Sequence, residues 1–480
     1  MTYLHLMALE RALYIASLII LCYFAALQVV LLILTLLSFL DMRRRIRQNY
    51  YTDFECMARS HFTIPVSVII PAHNEASVIV KCVHSVLSLD YPEFEVLVVN
   101  DGSTDDTFEL LREEFRLVER RAVYRKSMPT GEIKAVYRSL NKPTLTVVDK
   151  IHTGKSDALN IGINLSRYHL FCSIDADSIF QSNALLRIVR PILEKPDEVV
   201  AVGGQVRVAN GCVVEEGRVV TPRIPRRLLA AFQVIEYLRA FVASRLGLSR
   251  INNLLILSGV FALFRKDVVI EVGGYKSETV TEDMELVVRL HRHLRKKKEP
   301  YRVVFLPDPI CWTEVPVSVG NLSRQRNRWH RGLIQSLTRN MGMLLNPRYG
   351  SIGFVGMPYY FFFEMLGPLV EFIGYLLIPL AYFLGILSIT YLLTFLLLAI
   401  AAGTLLSTLA VLLEEASFGL YREWGDFARM MSLAMFENFG YRQLTLLFRV
   451  KATLDFLLRK RDWGKTKREN AEYVSNHLMW

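Results

Sequence analysis

Two stretches of this chain are apolar for longer than the core of a globular domain requires, and between them apolar residues come in short, interrupted runs. Residues 13–40 carry no charged side chain, and residues 353–413 carry only Glu364 and Glu371. A helix needs about 20 predominantly apolar residues to cross a bilayer. The first stretch therefore predicts one span and the second predicts two, at about 361–386 and 388–413, joined by a short external turn. Residues 430–448 are apolar too, but they contain Glu437 and Arg442. A crossing there would put the basic C-terminal tail outside, against the positive-inside tendency, so a helix lying along the cytoplasmic interface is expected instead.

The intervening block alternates between two periods. Residues 66–71 (VSVIIP) read as a short buried strand, and Val78, Cys82, Val86 and Leu89 follow at helical spacing. Residues 94–99 (FEVLVV) form a second strand ending at Asn100-Asp-Gly-Ser-Thr104, where Ser103 or Thr104 can cap a helix continuing through Phe108, Leu111 and Phe115. The charged segment 113–142 is read as a helix end plus loop. A strand at 144–148, a helix at 158–165 and a strand at 169–174 complete the first part. Strands alternating with helices predict an α/β domain with a mostly parallel sheet covered on both faces, whose ligands bind at the carboxyl ends of the strands. Residues 323–343 read as an amphipathic helix, basic on one side, leading back to the membrane. The resulting domains are an anchor at 1–41, a cytoplasmic domain at 42–350, two spans at 351–413, and an interfacial or further membrane helix with a basic tail at 414–480.

Composition narrows the class. Of 480 residues, 52% are hydrophobic and 21% charged, which excludes a disordered chain, a coiled coil and a collagen-like fibre. A net charge of +11 raises the question of nucleic acid, but its placement argues against that partner. Arg43, Arg44, Arg45 and Arg47 follow the first apolar run directly, and Arg459, Lys460, Arg461, Lys465, Lys467 and Arg468 lie beyond the last. Such flanks mark the cytoplasmic side of membrane segments and suit anionic lipid or a phosphorylated substrate. The first run is too long for a signal-peptide core and lacks a small-residue cleavage site, so it is read as a retained anchor with its N-terminus outside. The six cysteines are scattered with no C-x-x-C pair, indicating neither zinc nor a disulfide framework.

Candidate chemistry falls at the predicted strand ends. Asp175-Ala-Asp177 can share Mg²⁺ or Mn²⁺ and bridge it to diphosphate oxygens, although a lone D-x-D is more often a solvated turn. Asp101, before Gly102, can accept hydrogen bonds from a base or ribose, and equally reads as turn chemistry. His73-Asn-Glu75 closes the first strand in the same way. Lys155, after Gly154, can offer a point charge to phosphate or be a solvated loop lysine. Thr281-Glu282-Asp283 opens a helix. It serves as an N-cap with acids against the dipole, or supplies a general base for an attacking hydroxyl. Gln325-Arg-Asn-Arg328-Trp329 precedes the membrane, where a tryptophan often only anchors; alternatively Arg328 pairs with phosphate while Trp329 stacks on a sugar. Glu364 and Glu371, seven residues apart, share a face of an apolar helix and should meet a cavity or a partner.

Taken in order, the Pro71-Ala-His-Asn-Glu75 strand end, Asn100-Asp-Gly-Ser103, Asp175-Ala-Asp177, Thr281-Glu-Asp283 and Gln325-x-x-Arg328-Trp329 resemble the membrane-embedded family-2 glycosyltransferases. That group includes the cellulose, hyaluronan, chitin-oligosaccharide and poly-N-acetylglucosamine synthases. The resemblance covers about residues 65–332 and implies a GT-A type α/β domain flanked by transmembrane helices. It also implies that Pro71, Glu75 and Asp101 lie at the nucleotide of a UDP-sugar. Lys155, within Gly154-Lys-Ser-Asp-Ala-Leu-Asn160, and Asp175 would stand near the nucleotide and its diphosphate, and Asp177 would hold Mg²⁺ or Mn²⁺. By the same resemblance Asp283 is the base of an inverting displacement, while Ser258, Glu282, Gln325, Arg328 and Trp329 serve the diphosphate and acceptor. The expected activity is extension of a β-linked polysaccharide from UDP-GlcNAc or UDP-Glc at the plasma (inner) membrane, with the catalytic domain cytoplasmic and with possible export or accessory subunits. The alternatives are transfer of one sugar to a lipid acceptor, or an inactive nucleotide-binding scaffold. The chain departs from the family's polymerases in having one span before the domain, no clear Phe-x-Val-Thr gating loop and no appended cyclic-dinucleotide domain.

Overall fold

The computed structural model describes residues 2–460 apart from 122, 216 and 422. The basic tail expected beyond Lys460 lies outside the described residues. The chain enters as one long helix, Thr2–Tyr51, of which Met7–Tyr51 is long and apolar enough to cross a membrane.

The central domain is built on a ten-stranded sheet. In chain order the strands are β1 (Val66–Ala72), β2 (Phe94–Asp101), β3 (Leu117–Glu119), β4 (Ile133–Ser139), β5 (Leu145–Lys150), β6 (Leu170–Ile174), β7 (Ile179–Phe180), β8 (Val199–Val208), β9 (Val213–Glu215), β10 (Arg218–Thr221), β11 (Phe261–Arg265) and β12 (Arg302–Thr313). Their order in the sheet is β3-β4-β5-β2-β1-β6-β11-β8-β12-β7, and β9 and β10 form a separate hairpin. The centre, β5-β2-β1-β6, is parallel. Val66, Val68, Ile69 and Ile70 of β1 are all buried, as a strand covered by helices on both faces requires. Antiparallel strands flank this centre on both sides: β3 and β4 beyond β5, and β11 between β6 and β8. The carboxyl ends of β1, β2, β5 and β6 thus open on one edge, and Glu75, Asp101, Lys155, Asp175 and Asp177 lie at or just beyond them.

Two local expectations are corrected. Residues 113–142 are not a helix end plus loop: the helix ends at Glu114, and β3 and β4 follow as an antiparallel pair. In β4, Lys134 and Arg138 interrupt the apolar alternation, and the strand is held by pairing with β5 rather than by burial. Neither Ser103 nor Thr104 caps the helix Thr107–Glu114, whose N-cap is Asp106. Ser103 Oγ instead receives the Asn74 N–H at 3.0 Å, and Thr104 donates its N–H to Asn74 Oδ1 at 2.7 Å, so both tie β2's end loop to β1's.

The membrane segments are more broken than their hydropathy suggests. Ile389–Phe418 is one run long and apolar enough to cross, whereas Ile352–Met365 and Gly367–Phe383 meet at a 41° bend. The bend falls at Gly367-Pro368, where proline removes a helix hydrogen bond. The single helix expected over 430–448 is two, Trp424–Phe436 and Tyr441–Leu457. The break has a physical cause. Glu437 is fully buried, accepting from Ser407 Oγ at 2.6 Å and pairing with Arg239 at 2.9 Å, and Gly440 turns the chain at φ +92°. The carboxylates expected on one helix face both have partners. Arg442 grips Glu371 at 3.0 and 3.1 Å, and Arg449 reaches Glu364 at 3.2 Å. The Tyr441–Leu457 helix thereby clamps both halves of the bent segment.

Candidate functional site

The site assembles from four elements at the open edge of the sheet. Asp175 and Asp177 follow β6, Lys155 opens the helix Lys155–Leu165, Ser258 and Gly259 precede β11, and Glu282 and Asp283 open the helix Glu282–Lys297. The Lys155 ammonium donates to Asp175 Oδ1 at 2.6 Å and lies 3.1 Å from Glu282 Oε1. Asp283 Oδ2 accepts the Gly259 N–H at 3.1 Å, and its Oδ1 takes the Met284 N–H at 2.8 Å. A side chain at position 259 would stand 3.4 Å from Lys155 Nζ and 3.6 Å from Asp283 Oδ2, so glycine there leaves the space between carboxylate and ammonium open. Ser258 Oγ closes the turn by accepting the Val260 N–H at 3.4 Å. Asp177 Oδ1 accepts from Thr313 Oγ1 at 3.3 Å.

The electrostatics follow from this crowding. Burial opposes the charge of Lys155, but Asp175 and Glu282 outweigh it and hold the ammonium above its ordinary value. Asp283 moves the opposite way from most carboxylates: burial and then the neighbouring Glu282 push it up to about 6, against the pull of Lys155 and two N–H groups. A carboxylate that ionises near neutrality is suited to accept a proton. The cluster carries four acids against one lysine, all hard oxygen donors with excess negative charge. That donor chemistry fits Mg²⁺ or Mn²⁺, with Asp175 and Asp177 the residues that would hold it.

A second group lies beside the first. Asp101 is 2% exposed, and its carboxylate is engaged by Lys150 Nζ, the N–H of Thr153 at 3.0 Å, the N–H of Gly154 at 2.9 Å and His152 Nδ1 at 2.9 Å. Burial opposes ionisation, yet Lys150 and Thr153 hold this carboxyl below its ordinary value. Asp101 therefore spends its acceptors inside the protein, pinning residues 150–154. Gly102, at φ +57°, lets the next loop approach, since a Cβ would lie 2.7 Å from His152 N. The Nδ1 atoms of His73 and His152 lie 2.8 and 3.0 Å from the Asp101 carbonyl oxygen. A carbonyl only accepts, so both rings carry their hydrogen there. The rings stack at 4.2 Å, inclined by 24°. His73, Asp101 and His152 offer possible metal-ligand atoms within 4.8 Å of one another. Imidazoles favour softer ions than Mg²⁺, however, and near-parallel rings do not converge on one point. Glu75 begins beside this group, its N–H donating to Thr107 Oγ1 at 2.8 Å, and Pro71 lies on β1 opposite Val99 of β2.

Gln325, Arg328 and Trp329 lie on the helix Val319–Arg339. Arg328 is exposed, and no ion pair or hydrogen bond among the described residues joins these three to the carboxylate cluster. The link is steric. Gly332, one turn on, packs so closely against the N-cap Thr281 that a Cβ would stand 2.3 Å from its Oγ1. Gly332→Ala is therefore expected to cost about 1–3 kcal/mol by overpacking and to lower turnover by displacing Asp283. Gly342→Ala, which meets nothing within 4 Å, serves as the neutral control in the same melting and rate measurements.

Several site residues escape a reading of the sequence. Lys150, completely buried, joins Asp101 to Asp157 at 3.1 Å. Arg326, rather than Arg328, lies under the Trp329 ring at 4.4 Å and pairs with Glu236 at 2.7 Å; its i, i+3 spacing to Trp329 is the signal that could have marked it. Arg245, in the π-helical turn Arg239–Arg245, has a buried Nη1 without a hydrogen-bond partner, and the Asp283 carboxylate is among the groups acting on its charge.

Comparison with known proteins identifies the family of the chain. The description "Glycosyltransferase like family 2" matches residues 64–332. A poly-β-1,6-N-acetyl-D-glucosamine synthase of Staphylococcus epidermidis is 28% identical over 275 residues, covering 57% of this chain and 56% of that protein. The Staphylococcus aureus (strain COL) synthase of the same name matches with the same identity and coverage. The chain thus spans about half the length of the curated relatives it matches. Among solved structures, a mannosyltransferase of Pyrobaculum calidifontis in complex with GDP-Man and Mn²⁺ aligns over 91% of this chain and 100% of that one, at 18% identity and a TM-score of 0.49. S. aureus TarS 1–349 in complex with UDP-GlcNAc aligns over 79% and 92%, at 15% identity and a TM-score of 0.38. Because the family match takes in more than half of the chain and every motif from His73 to Trp329, this protein belongs to glycosyltransferase-like family 2.

Proposed function

We propose that this chain transfers a sugar from a UDP-sugar to an acceptor hydroxyl at the membrane, with inversion at the anomeric carbon. The observation that carries the reading is Asp283, raised toward neutrality and held by the Gly259 N–H beside a Lys155 that bridges Asp175 and Glu282. Asp283 takes the proton of the acceptor hydroxyl as that oxygen bonds to the anomeric carbon. The bond from that carbon to the diphosphate breaks on the opposite face, and its electron pair leaves on the diphosphate. Lys155 stands where negative charge develops, and fixed charges in a crowded site stabilise it at little reorganisation cost. Asp175 and Asp177 would hold Mg²⁺ or Mn²⁺, which when bound neutralises diphosphate charge. Pro71, Glu75 and the loop pinned by Asp101 form the nucleotide side. Ser258, Gln325, Arg328 and Trp329 lie toward the acceptor.

The N-acetylglucosamine polymer in the relatives' names supports UDP-GlcNAc as donor and a β-linked polysaccharide as product, ahead of UDP-Glc. Two apolar helices long enough to cross, and a bent third segment, support a multi-pass protein of the inner membrane with a cytoplasmic catalytic domain. One observation favours transfer of a single sugar to a lipid acceptor: Glu364 and Glu371 are taken up by Arg449 and Arg442 and so do not line an unpaired polar path.

The test is release of nucleoside diphosphate by the nanodisc-purified chain from a panel of nucleotide sugars with Mg²⁺ or Mn²⁺, followed by sizing of the product. A polymer from one UDP-sugar supports the first reading, a lipid carrying one sugar supports the second, and no release from folded protein removes both. The pH dependence is a further expected outcome. Because Asp283 acts deprotonated, kcat/KM is expected to be flat above about pH 7 and to fall about tenfold per pH unit below about 6. A profile flat down to pH 5 would exclude Asp283 as the base.

A further inference from the structure

A cavity of about 230 Å³ shares no lining residue with the site above. Its wall is the loop before the helix Leu228–Leu238, bearing Arg223, Arg226 and Arg227, and the start of the helix Trp424–Phe436, bearing Asp426 and Arg429 with Glu423 just ahead. The four arginines outnumber the two acids.

These arginines have different duties. Arg429 holds the wall together, donating to the carbonyls of Pro225 at 2.7 Å and Arg226 at 3.0 Å. That clamps the arginine-bearing loop onto the second helix. Arg223 is only loosely neutralised, 3.8 Å from a Glu423 that is 70% exposed; an exposed pair of that kind contributes little. The Arg226 guanidinium is exposed and has no partner among the described residues. Asp426 and Glu423 are the acids of this wall, and they are outnumbered by the guanidinium groups around them. The cavity therefore offers guanidinium forks, whose planar donors match phosphate oxygens. At about 230 Å³ it falls below the roughly 300–1,000 Å³ of pockets that enclose drug-sized ligands. It suits a phosphate group rather than a whole nucleotide sugar.

Its position is the second, separate observation. The apolar run Ile389–Phe418 ends shortly before Trp424, which is 84% exposed and directly follows Glu423 of the cavity wall. An exposed tryptophan just past the end of a span sits at headgroup level, and basic pockets at that level engage anionic headgroups.

We propose that this cavity is a binding site for a phosphate ester, presented at the membrane surface by an anionic lipid headgroup. The site does not depend on the catalytic reading, and its test needs no sugar transfer. The intact chain in neutral detergent is titrated with phosphatidylglycerol, with phosphatidylcholine and with inorganic phosphate, following bound lipid by native mass spectrometry and phosphate by calorimetry. The variants are Arg226→Glu alone and Arg223→Gln with Arg226→Gln. All three substitutions fall on exposed side chains, and melting curves verify folding. The expected result is a loss of at least tenfold in phosphatidylglycerol affinity in both variants, with phosphatidylcholine unchanged. Phosphate binding lost in the variants, with lipid binding equal, supports the site but assigns it to a free phosphate ester. Equal affinity of wild type and both variants for phosphatidylglycerol and for phosphate overturns the proposal.

Discussion

Asp283→Asn is expected to lower sugar transfer by about 10²- to 10⁴-fold, the usual contribution of a positioned general base, while leaving nucleotide affinity and folding intact. The substitution is nearly isosteric, and an amide oxygen can still accept the Gly259 N–H that the Asp283 carboxylate accepts at 3.1 Å. What is lost is the ability to take a proton, together with the second oxygen, Oδ1, that accepts the Met284 N–H at 2.8 Å. The change also removes one of the charges that hold Lys155 protonated, but Asp175 and Glu282, the larger influences, remain. Turnover measured with saturating donor, alongside UDP binding by calorimetry, separates the two effects. A variant with more than a tenth of wild-type turnover would show that another group takes the proton. The loss should be in kcat rather than KM, because the interaction is made only as the acceptor hydroxyl attacks.

Lys150→Met is expected to destabilise the chain by about 3–5 kcal/mol, the cost of breaking a buried ion pair by removing one partner. Lys150 is completely buried, and its ammonium serves Asp101, Asp157, Thr153 Oγ1 and the Ile151 carbonyl. Without it the Asp101 carboxylate keeps its N–H donors but loses its buried counter-charge, and the 150–154 loop loses its anchor. Donor affinity should fall together with stability, since that loop carries His152 and leads into Lys155. Lys150→Arg, which keeps the charge but not the fit, should recover part of the stability. Thermal and urea unfolding in detergent measure the first effect, and KM for the donor the second. A change below about 1 kcal/mol, the range of exposed pairs, would mean that water reaches the site and that Lys150 is not the anchor described.

How far the sequence could be read depended on the reach of each interaction. The run VSVIIP signals a strand buried on both faces because its pattern is local, and Asp175-Ala-Asp177 is conspicuous because two acids end an apolar strand. Lys150 carries no such local sign: it follows Asp149 in an ordinary strand, and its partner Asp101 is 49 residues away. Arg442 likewise looks like a misfit in an apolar helix until the bent segment brings Glu371 to it across 71 residues. Glu437 was legible as a charge within an apolar run, and the interfacial helix expected there runs straight through it. The buried bonds to Ser407 and Arg239 that break the helix there required the fold. In β4 the alternation is present but interrupted by charge, so only its pairing with β5 distinguishes it from a loop.

The central claim is a single in-line displacement with Asp283 as base, and the anomeric configuration of the first product tests it most directly. The purified chain is supplied with an α-linked UDP-sugar, and the newly formed linkage is read by proton NMR before any secondary reaction. The account predicts a β-linkage, formed by wild type and suppressed in Asp283→Asn. An α-linkage from the same donor would contradict it, because retention requires either two successive displacements or attack from the leaving-group face, and Asp283 acting as a general base supplies neither.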